Sequence, residues 1–320
     1  MTKKRKLAST IIISVTALII LFVFMRVNRA DAPITFGILC AAPLMLAVYC
    51  LSNIETLFRV PLELYRSRDT FTALVKNDFQ ARFAGNIFGV FWAFVNPIIT
   101  MVLYWFVFQV GLKSGNTGDY PFILFLMSGL VPWFYYSEAL NGATSSLLEY
   151  SYLVKKMVFN VGILPVIKVC SALIVHLCFL SFTLVIAAVY GFYPSLYTIQ
   201  LIYYIACLAV LVLGFAYFTA ACTAFFRDMT QIVNIIQMIG MWATPIMWDA
   251  RDKLPPSWVV IFKLNPVFYI VDGFRDSICA HTWFWEKPIW TVYFWVFIIA
   301  QYIFGVKFFN RLKVHFSDVL

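Results

Sequence analysis

The sequence predicts an all-α polytopic membrane protein of about eight transmembrane helices. Three observations carry that expectation. Of 320 residues, 62% are hydrophobic, 19% aromatic and only 12% charged, against about 45–50% apolar and about 25% charged in soluble domains. Eight windows, approximately 8–25, 33–51, 87–111, 121–146, 166–190, 199–225, 230–248 and 289–309, are continuous apolar runs. They approach the ~20 residues a helix needs to cross ~30 Å of hydrocarbon, and they lack the alternation of barrel strands. What remains outside them is too short for an ordinary catalytic domain.

The first two windows, within residues 1–52, follow "MTKKRK". The first is long for a signal peptide, "RVNRADAP" is a poor cleavage site, and a second apolar run follows at once, so a retained anchor is expected. Lys and Arg set the orientation. With Lys3, Lys4, Arg5 and Lys6 inside, most cations fall on the cytoplasmic side, together with both termini. Arg26, Arg29, Lys113, Arg251, Lys253, Lys263, Arg275 and Lys287 fall outside. The formal charge of +9 needs no nucleic-acid partner, since anionic lipid at the cytoplasmic face accounts for it.

Residues 53–86 are expected at that face. Leu64, Phe71, Leu74, Val75, Phe79 and Phe83 recur at helical spacing, while Arg66, Asp69, Lys76, Asp78 and Arg82 fall mainly elsewhere. The pattern is an amphipathic interface helix with its apolar side in lipid. The remaining six windows form a unit over 87–320, interrupted twice. "SLLEYSYLVKKMVFNVGILPVIK" leaves room for one short helix before Pro165, which suits the first turn of the next span. In residues 244–285 two apolar pieces are too short to cross and are broken by Pro255, Pro256 and Pro266, predicting short re-entrant helices on the outer side.

Catalytic chemistry has little to stand on. No G-x-x-x-x-G-K-[ST] phosphate loop is present. His176, His281 and His315 are scattered, and the seven cysteines show neither metal spacing nor a disulfide framework. His176, in mid-span, reads as a packing residue without an acidic neighbour in its helix. Glu138 is the main carboxylate inside a span. Asp249, Asp252, Asp272 and Asp276 read as solvated loop charges beside Arg251, Lys253 and Arg275. A membrane-embedded transferase would need acidic or histidine pairs that this chain lacks, so no catalytic and no metal site is assigned.

Three stretches together, "GLVPWFYYSEALNGATSSLLEYSYLVKKMVFNVGILPV" (129–166), "FFRDMTQIVNIIQ" (225–237) and "TPIMWDARDKLPPSWVVIFKLNPVFYIVDGFRDSI" (244–278), resemble the permease subunit of ATP-binding-cassette exporters of the type-two class. The closer likeness is to the polysaccharide, O-antigen and teichoic-acid branch, and it covers about residues 60–320. It implies a homodimer of six-span permeases in the bacterial cytoplasmic membrane, with a separate ATPase subunit that holds the ATP and Mg. This chain would carry no cofactor. The cargo would be an undecaprenyl-linked glycan. By the same likeness 62–84 is the interface helix, 149–160 the coupling helix and 255–278 the pair closing the outer mouth. Glu149, Tyr152, Lys155, Lys156, Phe159, Arg227 and Asp228 would couple to the ATPase, and Arg66, Lys76 and Arg82 would attract the substrate's pyrophosphate. Residues 1–52 lie beyond the likeness, and Asn160 stands where a proline is common.

Aromatics offer a separate hint about cargo. Most of them suit packing or the headgroup belt. Trp92, Tyr104, Trp133 and Tyr136, with Asn234, Gln237 and Thr244 on one helix side, are candidates for a channel lining that stacks on sugar faces and bonds hydroxyls. The alternative within the superfamily is a permease for drugs or small lipids.

Overall fold

The computed structural model describes residues 2–26, 33–82, 88–111, 120–155 and 160–320. The protein is an all-α polytopic membrane protein. Helices α1 (Thr2–Arg26) and α2 (Pro33–Ser52) cover the first two windows. The interface segment is two helices, α3 (Ile54–Arg66) and α4 (Arg68–Ala81), broken at Ser67. Then come α5 (Trp92–Trp105), continued by a π-turn to Gly111, α6 (Phe122–Glu149) and the short α7 (Ser151–Val154). Next are α8 (Leu164–Val189), α9 (Gln200–Phe225), α10 (Met229–Ala243) and α11 (Ala250–Lys253). Last are α12 (Pro256–Lys263), α13 (Pro266–Arg275), α14 (Pro288–Leu312) and α15 (Phe316–Val319).

Among the described residues five helices are long and apolar enough to cross a membrane, and two bent pairs bring the number to seven if each pair is one crossing. The pairs are α2 with α3, bent by 66°, and α12 with the helix that starts at Pro266, bent by 103°. Window 230–248 yields a helix of only 15 residues, about 22 Å long at a rise of about 1.5 Å per residue. Pro245 ends it, because the residue before a proline is pushed into extended backbone, and Thr244 is extended (φ −91°, ψ 126°).

The core is α6, α8 and α9, with α14 laid along α9 and α13 tucked between α6 and α9. α6 is the most enclosed span and α5 the most exposed. α14 can approach α9 because Gly305 meets Gly214: a Cβ on Gly305 would run into the Gly214 carbonyl. Small residues at such contacts let helix backbones close. Gly305→Ala is expected to destabilise the protein by about 1–3 kcal/mol through overpacking, read as a lower thermal midpoint in detergent, with Gly37→Ala, which meets nothing, as the neutral control.

The bundle has two polar ends. At one, α3 and α4 meet the end of α6, the start of α8 and the C-terminal residues: Tyr217 Oη donates to the Gly162 carbonyl at 2.8 Å, and Lys313 Nζ donates to Asn160 at 3.0 Å. At the other, Arg275 donates to the Ile246 carbonyl at 2.8 Å and lies 3.5 Å from the Phe125 ring centroid. Two of the four acids expected there as solvated loop charges, Asp272 and Asp276, are drawn into ion pairs instead. Asp276 and Arg275 are buried, and Asp272 binds Arg251 (2.6 Å) and Lys287 (2.8 Å). The bent α12–α13 pair carries Asp272 and Asp276 inward, and each of the two carboxylates is held by a cation because an unpaired one there would be too costly. His176 lies between Tyr135 and Phe274, with ring centroids 4.8 and 5.9 Å away.

Candidate site at the α3/α4 end

The interface segment packs inward. Leu64, Phe71, Leu74 and Val75 sit against the cluster built from the α6, α8, α9 and α14 ends, and Phe79 against the main core. The sequence expectation left this face to lipid; the bundle covers it instead. Asp78 lies on the same buried side, three and four residues after Val75 and Leu74, and is 2% exposed.

Asp78 is the centre of an ion network. Lys168 Nζ lies 2.7 Å from Asp78 Oδ1, Tyr150 Oη donates to the same oxygen at 2.8 Å, and Arg82 Nε lies 3.3 Å from Oδ2. Arg82 also pairs with Glu138 of α6, and Lys168 with Glu149 at the end of α6. Ser145 donates to Glu149 and the Lys168 ammonium lies 5.2 Å from the Tyr150 ring centroid. Three elements remote in sequence, α4, α6 and α8, are thus joined through charges.

Helix polarity explains why Lys168 and Glu149 need each other. Lys168 is in the first turns of α8, where the helix dipole disfavours a cation, and Glu149 closes α6, where it disfavours an anion. Each neutralises the other. Burial alone would raise the Asp78 carboxyl, but the hydrogen bond and charge of Lys168 overcome it and hold Asp78 below its ordinary value. Burial, then the hydrogen bond to Asp78, pushes the Tyr150 hydroxyl above its own.

The basic hinge between α6 and α8 is tied at both ends. Tyr150 anchors its start to α4. At its far end Asn160 accepts from the Gly162 N–H at 3.2 Å and from Lys313 at 3.0 Å, next to the end of α14. Between them Val154 is buried, whereas Tyr152 (55% exposed) and Lys155 face outward. Lys156 and Phe159 lie outside the described residues. Arg227 and Asp228 are exposed in the turn from α9 to α10, at the same end.

The other sequence candidates scatter. Arg66 and Lys76 are exposed on α3 and α4, while the Arg82 guanidinium is occupied by Asp78 and Glu138. Trp133 and Tyr136 are buried together, with centroids 5.4 Å apart, and Trp133 packs at Gly240 of α10. Gln237 accepts from Ser137 at 2.8 Å, Thr244 is buried and accepts from Asn265 at 2.8 Å, and Asn234 is exposed. Trp92 is exposed and Tyr104 half-buried on α5. Gln237 and Thr244 therefore do not share one open side with Asn234. Sequence reasoning missed Asp78, Lys168 and Tyr150 as a unit. The available signal was a lysine placed just inside an apolar window, a position that demands a counter-charge.

Comparison with known proteins adds family membership. The ABC-2 type transporter family profile matches residues 69–279. The O-antigen export system permease protein RfbA of Klebsiella pneumoniae is 26% identical over 253 residues, 79% of this chain and 95% of that protein. RfbA of Myxococcus xanthus is 27% identical over 228 residues, 70% of this chain and 86% of that protein. The family match spans α4 through α13, including the ion network and the hinge, and this chain belongs to the ABC-2 type transporter family.

Proposed function

We propose that this chain is the membrane-spanning permease subunit of an ATP-driven exporter that moves a lipid-linked polysaccharide, of the O-antigen, capsule or teichoic-acid kind, across the bacterial cytoplasmic membrane. The observation that carries the reading is the hinge of residues 150–160, exposed at Tyr152 and Lys155 yet fastened to α4 by Tyr150 and to the α14 end by Asn160. A force on that segment reaches four helices at once. The similarity to two O-antigen export permeases supports the choice of cargo.

In this reading the α3/α4 end faces the cytoplasm. A separate ATPase subunit, which holds ATP and Mg, docks against Tyr152, Lys155, Lys156, Phe159 and the Arg227–Asp228 turn, while Glu149 passes its movement to Lys168. Two copies of the chain form the channel, and the outward apolar flanks of α5 and α10 (Val102, Leu103, Ile235 and Ile239 among them) supply surface for that pairing. Arg66 and Lys76, exposed and without an ion pair among the described residues, are the cations for an undecaprenyl-pyrophosphate headgroup, and Arg82, paired with Asp78 and Glu138, adds its charge from the end of α4. Reconstitution tests the reading. Proteoliposomes with this chain, its ATPase and ATP should translocate a lipid-linked glycan, and those with the chain alone should not. Translocation without the ATPase overturns it.

A further inference from the structure

At the end remote from the hinge, a cavity of about 410 Å³ opens between α2, the α12–α13 hairpin and the start of α14. That volume lies in the range of small-molecule sites, about 300–1,000 Å³. Its polar side holds Arg251, Lys263 and Lys287 with Asp272 and Glu286; its apolar side holds Leu39, Trp290 and Tyr293.

The charges are unequally satisfied. Arg251 grips both oxygens of Asp272 at 2.6 and 2.7 Å. Lys287 reaches Asp272 at 2.8 Å and also pairs with Asp276. Glu286 turns back to accept from the Trp283 backbone N–H at 3.3 Å. Lys263 has no carboxylate at ion-pair distance among the described residues. Its ammonium rests 5.2 Å from the centroid of the Trp290 ring, which attracts the cation and leaves its charge in place.

The surroundings select the kind of anion. Trp290 and Tyr293 lie in the first two turns of α14, the depth at which such rings mark the headgroup layer. Ile289 lines the cavity and is exposed, and Trp258, Val260 and Ile261 are exposed on α12, the helix that carries Lys263. An anion seated on Lys263 would therefore have apolar surface beneath it, the arrangement that an anionic amphiphile requires. Leu39, fully buried in the wall, comes from α2, which lies outside the residues matched by the family.

We infer that this cavity binds an anionic phosphate ester, with Lys263 as its counter-ion and Trp290 and Tyr293 as its apolar shelf, and that α2 serves as the wall that completes it. The inference stands apart from the export reading, since it concerns other residues at the other end of the bundle. A phosphate ester has two sources here, a phospholipid headgroup or a soluble phosphate ester, and the test separates them.

The full chain, purified in mild detergent, is titrated with phosphatidylglycerol or phosphatidylcholine, and bound lipid is counted by native mass spectrometry. The wild type should hold one phosphatidylglycerol that phosphatidylcholine does not replace. Lys263→Gln should weaken that lipid by about fivefold, the equivalent of about 1 kcal/mol per lysine at an anionic surface, and Lys263→Arg should restore it. Leu39→Trp, which fills the cavity from its α2 wall, should displace the lipid with Lys263 still present. Excess glycerol 1-phosphate that competes the lipid off identifies the phosphate ester itself as sufficient; a lipid that persists identifies the acyl chains as part of the ligand. Equal retention of phosphatidylglycerol by wild type and Lys263→Gln overturns the site, as does equal retention of the two lipids by the wild type.

Discussion

Lys168→Met is expected to destabilise the chain by about 3–5 kcal/mol, the usual result of removing one partner from a buried ion pair. Methionine keeps most of the stem's volume, so lost packing contributes little. What is lost is charge. The Lys168 side chain is 7% exposed and Asp78 is 2% exposed, so water cannot replace the ammonium, and Asp78 is left with Arg82 and Tyr150. Glu149, at the unfavourable end of α6, loses its only cation among the described residues. Thermal midpoints in one detergent check this. Combining Lys168→Met with Asp78→Asn should recover much of the loss, since removing both charges leaves neither one bare; a double variant as unstable as the single one would show that the pair is not what holds α4 to α8. The double variant should nevertheless export poorly, because Glu149 is no longer tied to α8.

Acid should not mimic Lys168→Met within the physiological range. Asp78 is held below its ordinary value, so its contribution is complete above the unfolded carboxylate range and fades only as pH falls through the lowered folded value. A wild-type midpoint that drops sharply between pH 7 and 6 would contradict that assignment.

The parts legible in the sequence are those set by local composition. Apolar runs marked most of the spans, and Pro255, Pro256 and Pro266 marked the breaks between the short helices α12 and α13, because a proline acts on its own neighbours. What the sequence hid depends on partners far along the chain. Asp78 sat among polar residues on a helix with an obvious apolar side, and nothing near it announces that Lys168, ninety positions on, will bury it. The same holds for Asp272 and Asp276, which look solvated until the hairpin folds inward onto Arg251 and Lys287. Gln237 and Thr244 share a helical side on paper, yet Pro245 ends the helix before Thr244 and sends that residue beneath Asn265. The hinge was legible for a different reason: adjacent lysines between two spans stand out against a nearly uncharged chain.

Reversing both hinge lysines, Lys155→Glu with Lys156→Glu, is expected to abolish export while leaving the fold intact. Lys155 is exposed and carries no ion pair among the described residues, and surface substitutions of that kind change stability by about 0.5 kcal/mol or less. Its effect must therefore appear at a partner. Across an interface, loss of one desolvated charged contact costs about 2–5 kcal/mol, and reversal adds repulsion wherever the facing surface is acidic. Binding of the ATPase should fall by at least about 100-fold, with substrate-stimulated ATP hydrolysis falling in step. Tyr152→Ala should weaken the same association as well, since an exposed aromatic in the segment is the kind of anchor that dominates such contacts. Co-purification of the ATPase, the thermal midpoint of the isolated chain and glycan export together separate the possibilities. A variant that folds normally, fails to retain the ATPase and stops exporting supports the hinge as the point where force enters. Normal export with both charges reversed would move that point elsewhere, to the Arg227–Asp228 turn at the same end of the bundle.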